Sequence, residues 1–283
     1  MSNSIHFLNT GHSDCIIIES NGHFAMIDAA EDTEFPPDKP HLSLKGYEQE
    51  VCDYLIKNCS DENGIVTLDF VLGTHCHSDH IGGFDTVINH PQIKVKKAFL
   101  KPYHEENIFI VERKRWDNTE VYTQMKDALT THNVPVIEDF DNYSFKLSDF
   151  NIKFFNGSYQ KPSRELGENV NSVVTLVEYN GLKALLAGDM NYKIGGERLI
   201  AKQLGRVDLL KVGHHGYFGS TSLYFVKRLM PKYSGVCNER KRMYPDVVFK
   251  LKRIAKSQII CTADVNGVKA VFDNGINIET NIC

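Results

Sequence analysis

The sequence predicts an α/β fold, because two kinds of apolar pattern alternate along the chain. Short apolar runs bounded by turn residues are typical of strands, and longer segments with apolar residues three or four positions apart are typical of helices. No clear linker divides the 283 residues, of which 42% are hydrophobic. A chain of this size and composition can bury a large core. We therefore expect one α/β domain over residues 1–283, with helices flanking the sheets.

The N-terminal third predicts strands joined by tight turns. Apolar runs occupy residues 5–8, 15–19 and 23–28. Asn21-Gly22, between the second and third run, has the residues preferred in a two-residue hairpin turn. We expect these strands to form an antiparallel edge of a sheet. Residues 46–58 predict the first helix, because Val51 and Leu55 lie one helical turn apart.

A polar stretch at residues 105–133 is predicted to be a helical insertion over the candidate site. Val121, Met125 and Leu129 recur every fourth residue in it, which gives one apolar stripe on an otherwise polar helix. We expect this insertion to be partly exposed. Further strands are predicted at 152–155, 173–178, 184–186, 209–212 and 259–261, and a helix at 223–229.

Composition limits the classes of partner and the compartment. A net charge of −4 gives no overall attraction to polyanions, so nucleic acid would need a local patch. The basic runs at 94–97, 113–115 and 240–242 could form one, although a solvated face is the preferred interpretation. The seven cysteines are odd in number and lack a C-x-x-C pair, which favours free thiols in a reducing compartment. Because no apolar segment approaches the roughly 20 residues that span a bilayer, and no leader sequence is visible, we expect a soluble, cytoplasmic protein.

Residues 75–80 carry a high density of metal-ligating side chains. His75, His77 and His80 fall within six residues, with Asp79 between them, directly after the apolar run 68–72. Strand side chains alternate, so His75 and His77 leave the strand end on the same side, and the turn can aim Asp79 and His80 at a second point. Burial of four such groups without metal would be costly. The pattern predicts two divalent ions about 3.5–4 Å apart, with zinc favoured and manganese or iron as alternatives.

The remaining ligands are expected at the ends of other strands. Gly188-Asp189 follows the apolar run 184–186, and His214-His215-Gly216 follows the run 209–212. Functional groups of layered α/β folds collect at such strand ends. The histidines outside these groups are interpreted as structural, although the early turn that carries His12 is expected to face the site.

The motif His-x-His-x-Asp-His at 75–80, followed by Asp189 and the 214–215 histidine pair, resembles the metallo-β-lactamase superfamily. The resemblance implies a four-layer αββα sandwich, classed as α/β or α+β by different schemes, over nearly the whole chain. It implies that His75 and His77 bind the first metal, that Asp79 and His80 bind the second, and that Asp189 bridges both. His215 is assigned as the last ligand of the second metal, with His214 as the alternative, and Asp28 is implied to support the site without binding metal.

The spacing of the motifs indicates a branch of that superfamily. Asn171-Ser172, Gly188-Asp189 and residues 214–216 are spaced similarly to the branch that contains competence protein ComEC. Residues 115–118 and 16–27 are more similar still to the catalytic module of pneumococcal phosphorylcholine esterase.

One position departs from the commoner pattern of the superfamily. There, another histidine completes the first metal, whereas this chain has no histidine between His132 and His214, and residues 169–172 stand in its place. The first metal is therefore expected to have His75, His77, Asp189 and water as ligands, which leaves a position open for a substrate oxygen.

The resemblance implies a binuclear metal-dependent hydrolase in which a metal-bridging hydroxide attacks a small or polymer-linked phosphodiester. Candidate catalytic residues are Asp28, Asp79, His214 and His215, and candidate substrate contacts are Trp116, Asn171, Ser172 and Tyr217. Trp116 could receive a quaternary ammonium group through cation–π attraction, or it could anchor the insertion by packing. The alternatives are a ComEC-type nuclease, a carboxylic ester or lactone hydrolase and, outside enzymes, a metal-binding scaffold protein. Nucleic acid is thus a less favoured partner, and the sequence predicts no oligomeric state.

Overall fold

The computed structural model describes residues 2–162, 164, 167–192 and 196–283. The strands in these residues are β1 (Asn3–Phe7), β2 (Cys15–Ser20), β3 (His23–Ala29), β4 (Val66–Gly73), β5 (Ile93–Val95), β6 (Ala98–Leu100), β7 (Val136–Ile137), β8 (Ser144–Leu147), β9 (Phe150–Phe155), β10 (Val174–Tyr179), β11 (Leu182–Leu186), β12 (Leu209–Lys211), β13 (Tyr233–Val236), β14 (Gln258–Cys261), β15 (Val268–Phe272) and β16 (Ile276–Thr280). The α-helices are α1 (Glu48–Cys59), α2 (Ser78–Ile81), α3 (Phe84–Asn89), α4 (Ile110–Arg115), α5 (Asn118–Thr131), α6 (Gly196–Leu204), α7 (Leu223–Leu229), α8 (Pro245–Phe249) and α9 (Thr262–Val265).

The described strands form two mixed sheets. The first has the order β16-β15-β1-β2-β3-β4-β6-β7, with the short β5 also paired to β4. The second has the order β14-β13-β12-β11-β10-β9-β8. Neighbours such as β2 and β3 are antiparallel and share a tight turn, whereas β11 and β12 are parallel, and α6 lies in their connection.

Three layers of apolar side chains hold these elements together. Phe70 of the first sheet and Phe154 of the second belong to the cluster between the sheets. On the outer face of the first sheet, α1, α3 and α5 contribute to a second cluster that contains Met125. On the outer face of the second sheet, α6 and α7 contribute to a third that contains Phe225. The layers run helix, sheet, sheet, helix, which confirms the predicted αββα sandwich.

The N-terminal strands confirm one expectation and correct another. β2 and β3 pair antiparallel, and Asn21 (φ 50°) and Gly22 (φ 82°) have the positive φ at both central positions that a type I′ turn requires. The predicted sheet edge was wrong, because β15 pairs with β1 on its other side and β16 lies beyond it. Strand order depends on where the C-terminal strands return, which local patterns do not encode.

The predicted insertion at 105–133 consists of two different helices after a short 3-10 turn at Glu105–Asn107. In α5, Val121, Met125 and Leu129 are at most 1% exposed and join the outer cluster of the first sheet, as their spacing predicted. In α4 no residue is buried. The insertion is therefore an anchored helix preceded by a short helix whose placement depends on polar contacts.

All seven cysteines are free, as their number and spacing predicted, and only Cys283 is exposed. Among the described residues, no helix is both long and apolar enough to cross a bilayer, since the longest, α5, has 14 residues.

Candidate metal centre

The candidate site lies where strand ends of the two sheets meet. β4 ends at Gly73, and the next residues lead through His75 and His77 into α2, which carries Asp79 and His80. β11 precedes Asp189, and its parallel neighbour β12 precedes the 3-10 turn Gly213–Gly216 that carries His215. Since parallel strands end at the same edge, side chains far apart in sequence meet there.

Left-handed backbone conformations aim several of these side chains. His214 and His215 have φ of 51° and 48°, and Asp28 has φ of 57°. Such conformations cost non-glycine residues on the order of 1–2 kcal/mol each and persist where the surroundings hold them. The amide of His214 donates to the carbonyl of Gly188 at 3.1 Å, and Asn238 Nδ2 donates to the carbonyl of His215 at 3.0 Å. These hydrogen bonds hold the strained turn that presents the two histidines to the site.

Four histidine rings point one nitrogen each toward a common centre. His75 Nε2 lies 3.0 Å from His77 Nδ1, and His80 Nε2 lies 3.2 Å from His215 Nε2. Two ring nitrogens bound at ~2.0–2.1 Å to one tetrahedral ion would be roughly 3.3 Å apart. Both pairs therefore have the separation of ligands that share an ion.

Two carboxylates join these nitrogens. Asp189 Oδ1 lies 3.3 Å from His80 Nε2, and its Oδ2 lies 3.4 Å from His215 Nε2. Asp79 Oδ2 lies 3.2 Å from the same nitrogen of His215. Asp189 Oδ1 is buried and accepts no hydrogen bond from the described residues. Asp189 thus contacts both nitrogens of the His80 and His215 pair, and its ligand atom also lies within 4.8 Å of one on His75, which suits a bridging carboxylate.

The second nitrogen of each ring meets an oxygen outside the centre. The contacts are His75 Nδ1 with Thr74 Oγ1 at 3.1 Å, His77 Nε2 with Glu112 Oε1 at 3.3 Å, His80 Nδ1 with Asp28 Oδ2 at 2.7 Å, and His215 Nδ1 with the carbonyl of Cys237 at 3.2 Å and Asp14 Oδ1 at 3.3 Å. In a metal-bound centre these oxygens would accept the single proton of each neutral imidazole, and the lone pairs would face inward. Metal-ligating histidines have this arrangement in proteins generally.

The donor set fits divalent ions. The described residues contain four overlapping groups whose ligand atoms lie within 4.8 Å of one another, namely His75, His80 and Asp189; Asp79, His80 and His215; Asp14, Asp189 and His215; and Asp14, Asp28 and His80. His77 belongs to none of these groups and reaches the centre beside His75. Inward lone pairs, a buried carboxylate oxygen without a donor and mixed nitrogen and oxygen ligands all suit zinc, manganese or iron.

Two residues that the sequence interpretation missed lie beneath the centre. Lys211 is fully buried, forms an ion pair with Asp14, and donates to the carbonyl of Gly188 at 2.9 Å. Burial would raise the pKa of Asp14, but Lys211 and the histidines lower it to about 2. The one signal for Lys211 in the sequence is a lone charge in the apolar run 209–212.

The charges of the centre balance within the protein only while two histidines are protonated. Burial would raise the pKa of Asp79 and Asp189, but His80 and His215 hold both well below the usual carboxyl range. Burial would lower the pKa of the two histidines, but Asp189 and neighbouring carboxylates raise both well above the usual value. The ionised Asp14, Asp79 and Asp189 are therefore offset by Lys211 together with the protonated rings of His80 and His215. Bound cations would take the place of those two protons, because the ring nitrogens that face Asp189 are the candidate ligand atoms.

A cavity of about 380 Å³ opens above the centre. Its lining residues are His12, Glu31, Leu44, His77, Ser78, Asp79, Trp116, Asn118, Asn169, Asp189, His214, His215 and Tyr217. Trp116 and Tyr217, which were expected to contact substrate, are among them. His214 is also in the wall, with Nε2 3.9 Å from Asp189 Oδ2, whereas His215 is buried in the centre itself.

Two other expected contacts lie outside the cavity lining. Asn171 is buried and bonds the backbone of Gln160 through both side-chain atoms, and it also donates to Glu168 Oε2 at 3.1 Å. Ser172 Oγ accepts a hydrogen bond from the amide of Asp189 at 3.2 Å. Both side chains support neighbouring backbone, and Asn169 is the residue of that segment that reaches the cavity.

The cavity wall also contains residues that were not predicted to contact substrate. His12, interpreted as structural although its turn was expected to face the site, lines the cavity. Glu31 lines it as well, and burial, with the charge of Asp79 in addition, raises its pKa to about 8. Asn118 is 3% exposed, donates to Glu112 Oε1 at 3.2 Å, and has an Oδ1 atom without a donor in the described residues.

Comparison with known proteins identifies relatives of the chain. A family model described as the metallo-beta-lactamase superfamily matches residues 8–233. ComE operon protein 3 of Bacillus subtilis is 28% identical over 186 residues, 64% of this chain and 21% of that protein. Recombination protein 2 of Haemophilus influenzae is 28% identical over 231 residues, 80% of this chain and 24% of that protein. The chain thus spans about a quarter or less of these relatives, which are consistent with the ComEC-like branch.

Solved structures share the fold at low sequence identity. YhfI, a metallo-beta-lactamase fold protein from Bacillus subtilis, has a TM-score of 0.58 at 10% identity, covering 96% of this chain and 100% of YhfI. Zn²⁺-bound PqqB from Methylobacterium extorquens has 0.55 at 10% identity, covering 95% and 99%. Igni18, a metallo hydrolase from Ignicoccus hospitalis, has 0.52 at 17% identity, covering 95% and 99%. With the family model matching most of its length, the chain belongs to the metallo-beta-lactamase superfamily.

Proposed function

We propose that the protein is a binuclear metal-dependent phosphodiesterase. The observation that carries this proposal is the floor of the cavity, where four histidine nitrogens and two carboxylates converge. The proposed ligands are His75, His77 and Asp189 for the first ion, and Asp79, His80, His215 and Asp189 for the second. Zinc suits this mixture of imidazole and carboxylate, with manganese or iron as alternatives.

Two such ions supply Lewis acidity and a water of lowered pKa, and they neutralise charge on a phosphoryl group. The residues of the chain supply orientation. Asp28 accepts hydrogen bonds from His80 Nδ1 at 2.7 Å and from the amide and hydroxyl of Thr74 at 2.8 Å. It thereby fixes the ring of His80 and, through Thr74, that of His75.

The cavity wall is the proposed place of substrate contacts. His214 Nδ1 meets the carbonyl of Phe218 at 3.1 Å, so Nε2 is left to face the cavity and can contact the phosphate or the leaving group. Tyr217 and Trp116 also line that space. A volume of about 380 Å³ lies in the range of small-ligand sites, which favours a small group or one end of a polymer.

A nuclease is the second candidate, and the rim of the cavity favours it. Phe218 and Tyr244 are 57% and 41% exposed, and their rings lie 5.2 Å apart. The basic run at Arg240–Arg242 adjoins Tyr244, and the name of the relative Recombination protein 2 points to nucleic acid. Exposed aromatic rings beside basic side chains are typical of surfaces that bind single strands.

The test begins with protein purified without chelator and its metal content by elemental analysis. The same sample is assayed on bis-p-nitrophenyl phosphate, p-nitrophenyl phosphorylcholine, a p-nitrophenyl carboxylic ester and single-stranded DNA. About two ions per chain and diester cleavage are expected. Cleavage should fall more than about 100-fold in Asp189→Ala, because loss of a bridging ligand should reduce activity more than loss of a residue that only hydrogen-bonds to a ligand. The exposed Asp127→Ala is the matched control.

Other results would favour an alternative function or contradict the proposal. Cleavage of DNA that falls steeply with salt, without turnover of small diesters, would favour the nuclease. Turnover of the carboxylic ester alone would contradict a phosphodiesterase. Less than one ion per chain and no turnover after zinc or manganese is added would indicate a scaffold protein.

A further inference from the structure

Glu112 of the insertion is the hydrogen-bond partner of a proposed metal ligand. Its side chain is 12% exposed, and Oε1 lies 3.3 Å from His77 Nε2. The same oxygen accepts from Asn118 Nδ2 at 3.2 Å and from the amide of Glu168 at 2.9 Å. One carboxylate thus joins the His77 loop, the cavity wall and the segment that stands where a further histidine would be expected.

The geometry fixes which nitrogen of His77 faces the centre. A carboxylate at Nε2 accepts a proton from that nitrogen, which leaves the lone pair on Nδ1. Nδ1 is the atom that lies 3.0 Å from His75 Nε2. Asp28, which lies within the sandwich, accepts a hydrogen bond from the outer ring nitrogen of His80 in the same way. For His77 the corresponding acceptor, Glu112, comes from the insertion.

The placement of α4 depends on contacts of this kind. No residue of α4 is itself buried, and the nearest buried residues in the chain are Ile108 before it and Asp117 after it, so the helix contributes little packing of its own. Its C-terminal end is held by His41 Nε2, which donates to the carbonyl of Arg115 at 2.7 Å, and by Lys39 Nζ, which donates to the carbonyl of Trp116 at 2.7 Å. Glu112 is the contact that ties the helix to the floor of the cavity.

We propose that Glu112 is a positioning residue for the first metal ion, and that it couples loading of this ion to docking of residues 110–118 over the cavity. The inference rests on the proposed metal site. The first ion has only three protein ligands in that proposal, so its occupancy should be sensitive to the orientation of His77. Because coupling is reciprocal, an ion that fixes His77 also stabilises the docked segment, and the docked segment tightens the ion.

The same contact has a consequence for the cavity. Asn118 and Trp116 follow α4 directly, and the ring of Trp116 lies 6.4 Å from that of His77. The position of this part of the cavity wall, which a bound substrate would contact, should therefore depend on whether the first ion is bound.

The experiment compares Glu112→Ala and Glu112→Gln with wild type and with Glu105→Ala, an exposed control in the same insertion. Competition with a chromophoric chelator measures the two zinc dissociation constants, and the visible spectrum of cobalt-substituted protein reports each site. For Glu112→Ala we expect the weaker dissociation constant to rise about 10- to 100-fold while the tighter one is unchanged. Glu112→Gln should lose less, because its amide oxygen still accepts from His77.

A second measurement reads the coupling without activity. Hydrogen exchange of residues 110–118 should slow when zinc is added to wild type and to Glu105→Ala, and should not change in Glu112→Ala. Unchanged dissociation constants in Glu112→Ala would overturn the inference. An equal weakening of both sites with a lower unfolding temperature would also overturn it, because that is the result of a purely structural role. If wild type binds no metal, the proposed function itself fails, and the inference fails with it.

Discussion

Two buried clusters of histidine and carboxylate groups lie in this fold, and they differ in how their polar atoms are partnered. In one, His6 Nε2 meets Ser4 Oγ at 2.8 Å and Glu19 Oε2 at 3.1 Å, and Nδ1 meets Tyr54 Oη at 2.9 Å. Both ring nitrogens have oxygen partners. In the metal centre, by contrast, nitrogens face nitrogens at 3.0 and 3.2 Å. The first cluster is complete within the protein, and the second needs something between its ligands.

Charge separates the two clusters in the same way. Glu19 has Lys269 Nζ at 3.2 Å, so one carboxylate faces one ammonium. In the metal centre the three carboxylates with lowered pKa have Lys211 as their one permanent cation, and the remaining positive charge comes from protons on His80 and His215, two of the proposed metal ligands. The number of histidines does not distinguish a structural cluster from a ligand-binding one. The two kinds of cluster are distinguished by the hydrogen-bond partner and the charge of each polar atom.

The largest expected effect concerns the buried ammonium of the metal centre. Lys211→Met leaves Asp14 buried without its cation, and loss of one partner of a buried pair costs about 3–5 kcal/mol of unfolding free energy. Lys269→Met in the other cluster should cost less than about 1 kcal/mol, because that pair is partly exposed. Urea unfolding measures both. Equal losses in the two variants would contradict the comparison, and Asp14→Asn combined with Lys211→Met should recover part of the loss.

Metal removal should affect one cluster only. An ion present at 100 to 1,000 times its dissociation constant stabilises the folded protein by ~2.7–4.1 kcal/mol, so chelation should lower the unfolding temperature by roughly 5–15 °C. Tyr54→Phe removes a hydrogen bond of the His6 cluster at a cost of about 1 kcal/mol. Its effect should be the same with and without chelator. If the unfolding temperature is the same with and without chelator, the centre does not need ions for its stability.

The proposed ligands could be predicted from sequence because each has a local signal. His75, His77 and His80 lie within one turn after a strand, and Asp189 follows an apolar strand. The choice between the paired histidines had no such signal. It depends on left-handed backbone in the turn, which brings His215 Nε2 to 3.2 Å from Asp79 and leaves His214 in the wall.

Apart from Asp28, which the resemblance implied, the partners of the site residues could not be predicted, because they are tertiary contacts. Asp14 comes from the turn between β1 and β2, Lys211 from the second sheet, and Glu112 from the insertion. The fold was predicted in its layers but not in the position of β1, since strand order depends on the return of β15. Local periodicity defines elements and strand-end ligands, whereas the order of strands and the second partner of each ligand arise from packing.

A smaller effect is expected at Asp28, which orients the ring of His80, when its substitution is compared with that of Glu19 in the other cluster. Asp28→Asn should weaken the second metal about 10- to 100-fold, because the amide no longer favours the tautomer of His80 whose Nε2 faces the centre. Glu19→Gln is the matched change in the other cluster and should leave both zinc dissociation constants unaltered. The chelator competition described for Glu112 measures them. If Asp28→Asn binds zinc as tightly as wild type, Asp28 has no orienting role.

The smallest effect is a pH dependence that belongs to the His6 cluster. Burial would raise the pKa of Glu19, but hydrogen bonds from His6, Ser2 and Ser4 and the charge of Lys269 lower it from 4.5 to about 2. A carboxyl group whose pKa is lowered by folding stabilises the folded protein at any pH above the pKa that the group has in the unfolded chain. This contribution is lost as the pH falls from about 4.5 toward 2. Glu19→Gln should therefore flatten the decline of unfolding free energy in that window. Burial lowers the pKa of His6, so a decline that begins below 6.5 should remain in the variant. Chelator present throughout keeps the metal centre from contributing to the difference, and a wild-type curve that is already flat between pH 4.5 and 3 would show that Glu19 is not stabilised by its partners.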